Sequence, residues 1–416
     1  MRKLMKTIML LALCLCGLLS CPGFVLAFDD GHPEVTVLVQ NAGAVCIGRV
    51  THIEDLGPAQ VNLGYTAGGT NRPAPVDARS MVAEVAVQGV LKGKISPKSI
   101  TVAFYKNVSL ASKPFNPEPF TELAAGETDI LFLKTTDDAM NFTLSQPSSY
   151  GKSKITIGDA KIGPIPAAAT PLRAVLLALV EALASGSKPV KLECLDRIGS
   201  TGYLLYAKAG VWVDTGAVNR RTALGEALMA DNPSSSLEAF IRARILPAVL
   251  KLTTNSDADL RDQAISAAGR LQDVGVIPAL AKIADRQYKP GFVSMTSAIL
   301  SQYRNPEATR ALVGVLGDTN PNVRSQAAES LRESADPVAV PFLLEHLDDP
   351  DTDARYYIVT ALYTATNTPE YPGTVLFHDD GDKYVTFWKK WASEHQEKVD
   401  FLRAQFLAPL PLRTMH

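Results

Sequence analysis

Two short acidic runs are the first candidates for chemistry in this sequence, because hard cations such as calcium prefer oxygen ligands that converge on one point. One run lies between two predicted helices and contains four aspartates: Asp348, Asp349, Asp351 and Asp353. Neither this run nor the next has the spacing of an EF-hand loop. Caps and favourable charges at a helix N-terminus explain these aspartates better than a metal does.

The second acidic run precedes the last predicted helix, and we expect it to lie in a loop. Its members are His378, Asp379, Asp380 and Asp382. They are candidate calcium ligands, but no further ligands that would converge with them can be named. The sequence therefore assigns no metal site and no cofactor.

Signatures of catalysis are absent from the sequence. It contains no H-E-x-x-H, G-x-S-x-G or G-x-G-x-x-G motif, and no C-x-x-C after residue 27. Gly151-Lys152-Ser153 looks like the end of a phosphate-binding loop, but Gln146 occupies the position of its opening glycine. A strand-like segment follows where a helix N-terminus would be needed. A hairpin loop is the better interpretation, and we predict a protein that is not an enzyme.

Three arginines mark an internal repeat. Arg261, Arg324 and Arg355 each begin a similar helical segment, about 30 residues or a small multiple of that apart, and a less regular copy has Ser294 at this position. A second set of marker residues lies near the start of the helical segments between these copies: Pro247, Pro278, Arg310 and Pro341. Such self-similarity predicts stacked helix pairs, each too small to bury its own apolar face.

The repeat arginines have two interpretations. An arginine beside an acidic N-cap usually braces the adjacent layer of helices through its guanidinium group. Alternatively, the arginines line a groove and bind an acidic ligand. The repeat architecture favours bracing.

The repeated segment, residues 237–368, resembles the HEAT family and is similar to the short bacterial repeats of phycobilisome-lyase type. Asp257, Asn320 and Asp351 precede its first helices as candidate caps. The resemblance implies an α-solenoid whose concave side binds a protein or peptide. It also implies an alternative, a bilin-lyase-like enzyme, against which the predicted export signal argues.

Helical periodicity extends on both sides of the repeats. Residues 170–236 are predicted to form a helical connecting region or first layer, which begins at Pro171 and breaks at Gly186. Residues 369–416 are predicted to form a capping helix, from Tyr384 to about Phe406, and a tail. Three aromatic residues lie on one side of this helix: Phe387, Trp388 and Trp391. We expect them to cover the last apolar layer, and the alternative is an exposed patch that docks a partner.

Residues 28–165 have a β pattern, in which short β-branched runs such as Val35 to Val39 alternate with Gly- and Pro-rich loops. Five or so strands of this kind predict a small closed or partly open barrel. The segment resembles the oligonucleotide/oligosaccharide-binding-like (OB-like) barrel of netrin modules and tissue inhibitors of metalloproteinases. The likeness rests on three short stretches: Cys46-Ile47-Gly48-Arg49-Val50, Val90-Leu91-Lys92-Gly93, and Gly126-Glu127 ahead of Ile130-Leu131-Phe132-Leu133.

The resemblance implies a metalloprotease-inhibitor-like module as an alternative function. Those inhibitors chelate the metal of a protease through an N-terminal cysteine, whereas Cys46 lies well inside this chain. Cys46 and Cys194 are the two cysteines beyond residue 27. They are a candidate disulfide in an oxidising compartment, and the alternative is two buried free thiols in separate cores.

Residues 1–27 predict an export signal. A positive region that contains Arg2, Lys3 and Lys6 precedes a short apolar stretch, and Ala27 offers a cleavage point. The apolar stretch is too short to span a membrane permanently. Leu18-Leu19-Ser20-Cys21 resembles a bacterial lipobox, which implies an alternative: a lipoprotein anchored to the membrane through Cys21.

The whole sequence, 416 residues with 46% hydrophobic and 20% charged residues, predicts two or three globular domains. Its net charge of −2 and the lack of a basic block predict no affinity for nucleic acid. We therefore expect an α+β multidomain protein, an OB-like barrel followed by a HEAT-like α-solenoid. Its expected role is that of an exported scaffold, periplasmic or secreted, for a protein or peptide partner.

Overall fold

The computed structural model describes most of the chain after residue 34. The described ranges are 35–61, 76–95, 98–107, 120–136, 141–145, 153–202, 237–286, 299–300, 302–303, 306–369 and 372–409. Several sequence predictions lie outside them: the export signal with Cys21, most of the phosphate-loop-like Gly151-Lys152-Ser153, residues 203–236 of the predicted connecting region, and the repeat copy at Ser294.

Six strands form the N-terminal sheet. Their bounds are β1 Ala44–Val61, β2 Val76–Lys92, β3 Ser99–Asn107, β4 Thr128–Thr135, β5 Asn141–Leu144 and β6 Lys154–Thr156. β-Branched and aromatic residues fill these segments because their side chains pack well on a pleated, half-buried surface. The prediction of a β-rich N-terminal region is confirmed.

The strand pairings form a closed circuit. β1 pairs with β2 and β2 with β3, both antiparallel, while β3 pairs in parallel with β5. β5 then pairs with β4, and β4 returns to β1, with Ala44 opposite Leu133 and Arg49 opposite Thr128. β6 extends from β4 outside the circuit. A sheet that returns to its first strand in this way leaves fewer unpaired edges than an open one.

The sheet has two apolar faces, each with its own core. β4 shows this most clearly, because successive side chains of a strand point to opposite faces. Ile130 and Phe132 join the core shared with the helices, whereas Leu131 and Leu133 join a second core inside the sheet. The strand region and the helical region are therefore joined by one continuous apolar core.

The first described element corrects a sequence prediction. Val35 to Val39 was predicted to be a strand, but Val35–Asn41 is a helix, α1. Val35 and Leu38 are fully buried in the core shared with the helices. The Lys92 ammonium donates to the carbonyls of Val39 at 2.7 Å and Ala42 at 2.6 Å, where the helix ends. Burial and this C-terminal cap outweigh the β propensity of the valines.

Two helices follow the sheet and begin the helical region, α2 Pro171–Ser185 and α3 Lys188–Ser200. The predicted helix between Thr170 and Gly186 is confirmed. A proline occupies the first turn of each helix, where no intrahelical hydrogen bond is lost. α3 packs against α5, the first helix of the repeated units.

The remaining helices include the repeated pairs. Their bounds are α4 Leu237–Phe240, continuing through a π-helical turn Ile241–Ile245 into Leu246–Leu250, then α5 Ala258–Arg270, α6 Ile277–Arg286, α7 Pro306–Val315, α8 Pro321–Ser334, α9 Val340–Glu345, α10 Thr352–Thr366, α11 Thr374–Glu394 and α12 Gln396–Leu407. α5, α8 and α10 are the first helices of pairs. α6, α7 and α9 are the second helices.

The predicted caps of the first helices are confirmed. Asp257, Asn320 and Asp351 each accept a hydrogen bond from a backbone amide of the first turn that follows. A similar device, not recognised in the sequence, precedes two second helices. Asp273 and Asp336 each cap a short 3₁₀ turn that leads into α6 and α9. Each cap satisfies amides that a helix start leaves unpaired.

The C-terminal segment differs from the predicted single helix. α11 begins ten residues before Tyr384 and ends at Glu394, and the backbone breaks at His395, with φ −121° and ψ 30°. α12 then packs against α9 and the 3₁₀ turn Pro337–Ala339. The predicted cap is therefore divided: α11 packs mainly against α10, and α12 packs against α9 and the 3₁₀ turn.

Candidate interaction surface

Arg324 braces two consecutive helix pairs. Its Nε and Nη2 donate to the two carboxylate oxygens of Asp349, at 2.6 and 2.8 Å, in the turn that leads to α10. Its Nη1 donates to the carbonyls of Asp318 and Thr319, at 2.9 and 3.2 Å, which precede α8. A planar guanidinium can make these four bonds at once, which a lysine cannot.

The other two repeat arginines make fewer contacts. Arg261 Nε lies 3.4 Å from the carboxylate of its neighbour Asp262. Arg355 donates from Nη2 to Thr352 at 3.3 Å, and its buried Nε has no hydrogen-bond partner in the described part of the chain. The structure thus gives the bracing geometry to Arg324, and hydrogen bonds of this kind are fewer at Arg261 and Arg355.

The second helices carry charged and aromatic side chains that are exposed or half-buried. Lys282 on α6 is exposed, Arg310 on α7 is half-buried, and Phe342 and Glu345 follow on α9. Gly314 lies one helical turn after Arg310, and open space surrounds the position of a Cβ atom there. We call these residues the second-helix surface. Basic, acidic and aromatic groups side by side are typical of a surface that binds proteins.

α11 covers the end of the stack through aromatic residues. Trp388 is fully buried, with its ring edge-on to Tyr363 at 5.0 Å and to Trp391 at 5.3 Å. Phe377 is also fully buried, against Tyr356 at 5.6 Å. Phe387 stacks on Tyr363 but keeps 41% of its surface exposed. The three aromatic residues singled out in the sequence therefore divide between the core and the surface.

The second acidic run, predicted to lie in a loop, lies within α11 and includes the kink between two helical stretches. Its helix has one non-helical residue, Asp380, with φ −149° and ψ 59°. His378 Nε2 lies 3.2 Å from the Asp353 carboxylate, whereas Asp379 and Asp382 are exposed. Across the described ranges, no group of three or more His, Cys, Asp or Glu side chains is arranged to hold a metal ion.

The two described cysteines are free thiols and form no disulfide with each other. Cys46 belongs to the core inside the sheet and Cys194 to the core shared with the helices. Burial raises the pKa of each thiol to about 12, and the carboxylate of Glu193 adds to the effect at Cys194. Both thiols are therefore protonated at neutral pH and poor nucleophiles.

A surface cavity that the sequence did not reveal opens beside β3, β4 and β5. It has a volume of about 250 Å³, and its lining combines aromatic rings, hydroxyl groups and one amine. Tyr105 and Phe120 pack with ring centroids 5.5 Å apart, and Lys134 lies at the rim. Its lining comes from separate strands, so no local sequence pattern could indicate it.

Comparison with known proteins supports the repeat. Residues 295–362 match the sequence family described as HEAT repeats, which confirms a HEAT-like repeat in that part of the chain. No curated protein matches the chain. In the described part of the chain, no helix is both long and apolar enough to cross a membrane.

Solved structures give a much weaker likeness. Two crystal structures of engineered proteins, both from the Northeast Structural Genomics Consortium, are similar to parts of the chain. The first has a TM-score of 0.26 and 17% identity, and covers 55% of this chain and 92% of its own. The second has a TM-score of 0.23 and 19% identity, and covers 58% of this chain and 64%, just under two thirds, of its own. Overlaps this low carry no functional argument.

Proposed function

We propose that this protein is an exported scaffold whose helix pairs form a HEAT-like solenoid and bind another protein or peptide through the second-helix surface. The observation that carries the proposal is the HEAT-repeat match over residues 295–362, within helices capped and paired in a repeating manner. Stacked pairs create an extended surface on which no single helix is the whole site. HEAT repeats generally mediate protein interactions.

The chemistry of the second-helix surface supports this role. Lys282 is 60% exposed, and its weak contact with Asp318, at 3.9 Å, leaves the ammonium accessible to a partner. Arg310 and Phe342 supply the residue types that most often contribute strongly to interfaces. This surface is therefore suited to a partner with both acidic and apolar groups.

Quantitative capture from an extract of the source organism tests the proposal. Wild-type protein, Lys282→Glu and Lys390→Glu serve as baits. The last is the matched control, because Lys390 is 74% exposed on α11. We expect at least one protein to be enriched by wild type and Lys390→Glu and depleted several-fold by Lys282→Glu, since charge reversal opposes an acidic partner. If no protein depends on the second-helix surface, the scaffold proposal is wrong.

We also propose that the N-terminal region is an OB-like barrel. Support comes from the circuit of pairings from β1 through β2, β3, β5 and β4 back to β1, with a parallel β3–β5 pair. The burial of Cys46 removes the one side chain through which the metalloprotease-inhibitor alternative would act. The barrel is therefore proposed as a structural and binding module without inhibitor chemistry.

Export remains a proposal that rests on residues 1–27. The intact mass of the mature protein distinguishes its two forms. Cleavage after Ala27 gives an unmodified N-terminus at Phe28, whereas the lipoprotein route gives a chain that begins with an acylated Cys21. A mass that includes the first residues would contradict both.

A further inference from the structure

The break between α11 and α12 is not encoded locally. From Lys383 to Leu407 the sequence contains neither glycine nor proline, and those residues are the usual causes of a sharp break in a helix. At His395 the ring instead stacks on Trp391, at 4.4 Å, and the backbone leaves the helical conformation. We attribute the bend to the contacts that α12 makes with the second-helix surface.

These contacts centre on one aromatic side chain. The Phe406 ring packs on Phe342, with centroids 4.1 Å apart. The Arg310 guanidinium lies 5.6 Å from the Phe406 ring and donates to the carbonyl of Ala408, just after the helix ends. Arg310 therefore recognises both an aromatic ring and the negative end of a helix.

A second arginine completes the docking. Arg403 lies 5.3 Å from the Phe342 ring and donates from Nη1 to Glu345 at 2.5 Å. Val399 and Leu402 are buried on the same side of α12, Val399 four residues before Arg403 and Leu402 four residues before Phe406. The docked face thus reads Val-x-x-Leu-Arg-x-x-Phe.

The attachment of α12 is small for a structural helix. Of its twelve residues, only Val399 and Leu402 are buried. Both side chains of the Arg403–Glu345 pair are more than a third exposed, so the pair contributes little to stability. Phe401 and Leu407 remain 61% and 69% exposed. A helix held by so few groups can be displaced by a competitor that makes the same contacts.

We propose that Arg310, Phe342 and Glu345 form a binding site for an amphipathic helix with an Arg-x-x-Phe stripe, which α12 fills within the chain. A partner protein presents a helix of this kind and displaces α12. The proposal rests on the proposed scaffold function and names its site and its class of partner. The occupant already seated on the site defines the chemistry that the partner must reproduce.

Binding of a fluorescent peptide to the full-length protein, measured by anisotropy, tests this site. The peptide spans residues 393–409 of this sequence. In wild type, the helix within the chain competes at an effective concentration of the order of millimolar, so the peptide binds weakly. Two release variants, Phe406→Ala and the milder Arg403→Ala, weaken that competitor. We expect each to bind the peptide about tenfold or more tightly than wild type, while circular dichroism shows retained helix content.

A charge exchange distinguishes specific recognition of the peptide from non-specific binding. Adding Glu345→Arg to a release variant places two arginines face to face and should reduce peptide affinity at least several-fold. A peptide with Arg403→Glu should regain affinity for that variant and lose it for the unexchanged one. A peptide with Phe406→Ala should bind neither.

Three outcomes overturn the inference: folded release variants that do not bind the peptide, binding that ignores the Glu345→Arg exchange, or release variants that dimerise in light scattering instead of binding the peptide. The last result makes a second copy the occupant. Each leaves the scaffold proposal standing if capture still depends on Lys282. If capture does not depend on Lys282 but the release variants still bind the peptide, the scaffold proposal is wrong, whereas the peptide-binding site at Arg310, Phe342 and Glu345 stands.

Discussion

Arg324 and Asp349 form a bidentate ion pair between one helix pair and the turn that begins the next, with bonds of 2.6 and 2.8 Å. Both side chains are largely buried. Burial by itself raises the pKa of Asp349, but the hydrogen bonds from Arg324 and from the Asp351 amide outweigh it, so the pKa lies below its ordinary value. The pair fixes the spacing of two units through charge and geometry together.

Asp349→Ala should destabilise the protein by about 2–4 kcal/mol, because it leaves the Arg324 guanidinium buried without its carboxylate. Urea unfolding measures the change. Asp348→Ala is the matched control, since Asp348 is exposed and pairs with Lys389 at the surface, and we expect a much smaller effect. The Asp349 contribution is present above pH about 4 and is lost as the pH falls through the lowered folded pKa. Equal effects of the two substitutions would refute a bracing role.

Trp388→Ala should cost roughly 3–5 kcal/mol, because it empties a fully buried site between α10 and α11. Phe387→Ala provides the comparison, since Phe387 is partly exposed, and should cost less than half as much. Trp388→Phe should be the mildest change, because the buried indole nitrogen has no hydrogen-bond partner among the described residues. Denaturant titration ranks the three variants, and a reversed order for Trp388→Ala and Phe387→Ala would show that α11 is not the cap.

Lys92→Met should release the end of α1 at a cost of roughly 1–2 kcal/mol, because the carbonyls of Val39 and Ala42 lose their donor while the aliphatic length is kept. Amide hydrogen exchange in residues 35–41 should rise in this variant. Lys94→Met removes an exposed ammonium two residues away and should leave that exchange unchanged. Unaltered protection in Lys92→Met would mean that burial alone holds the helix.

Because of Asp129 on β4, the free energy of unfolding should decrease as the pH rises from about 4 to about 6. Its side chain is fully buried, 3.7 Å from the Lys154 ammonium. Burial raises the pKa to about 6, although Lys154 opposes the shift. The folded state therefore holds this proton more tightly than the unfolded chain, so stability falls as the pH rises through that window, by roughly 2–3 kcal/mol.

Asp129→Asn tests this pH dependence, because the amide mimics the protonated acid in shape. Unfolding free energies of this variant and wild type should converge near pH 4 and differ most at pH 7, where the variant is the more stable. Glu127→Gln removes the carboxylate that lies 2.7 Å from Lys154; because the Glu127 charge contributes to the raised pKa of Asp129, this variant should narrow the pH dependence without abolishing it. A constant difference between Asp129→Asn and wild type across the range would contradict the assignment.

Local signals in the sequence predicted local structure well. The caps Asp257, Asn320 and Asp351 and the helix that starts at Pro171 follow from short-range chemistry, which a sequence displays directly. The prediction failed where distant residues decide the outcome. The valines of α1 became helical because Lys92 and the core lie against them, and α12 bends at His395 because it docks on α9.

The candidate site divides in the same way. The repeat interval pointed to Arg324 but could not tell it from Arg261 and Arg355, whose contacts depend on the turn that faces each of them. Spacing alone also made His378 and the aspartates that follow it a metal candidate, whereas the structure places His378 beside Asp353, a residue of α10 that the spacing could not indicate. The Phe406–Phe342 contact joins residues far apart in sequence, so no periodicity could reveal it.

Photo-crosslinking in the source organism tests whether the second helices bind a partner protein, with benzoylphenylalanine placed at one position of a helix pair at a time. Position Gly314 lies on the second-helix surface with open space around it, and position Thr364, exposed on α10, is the matched control on a first helix. We expect a discrete crosslinked partner from position 314 and none from position 364. No adduct at position 314, or the same adducts at both positions, would contradict it.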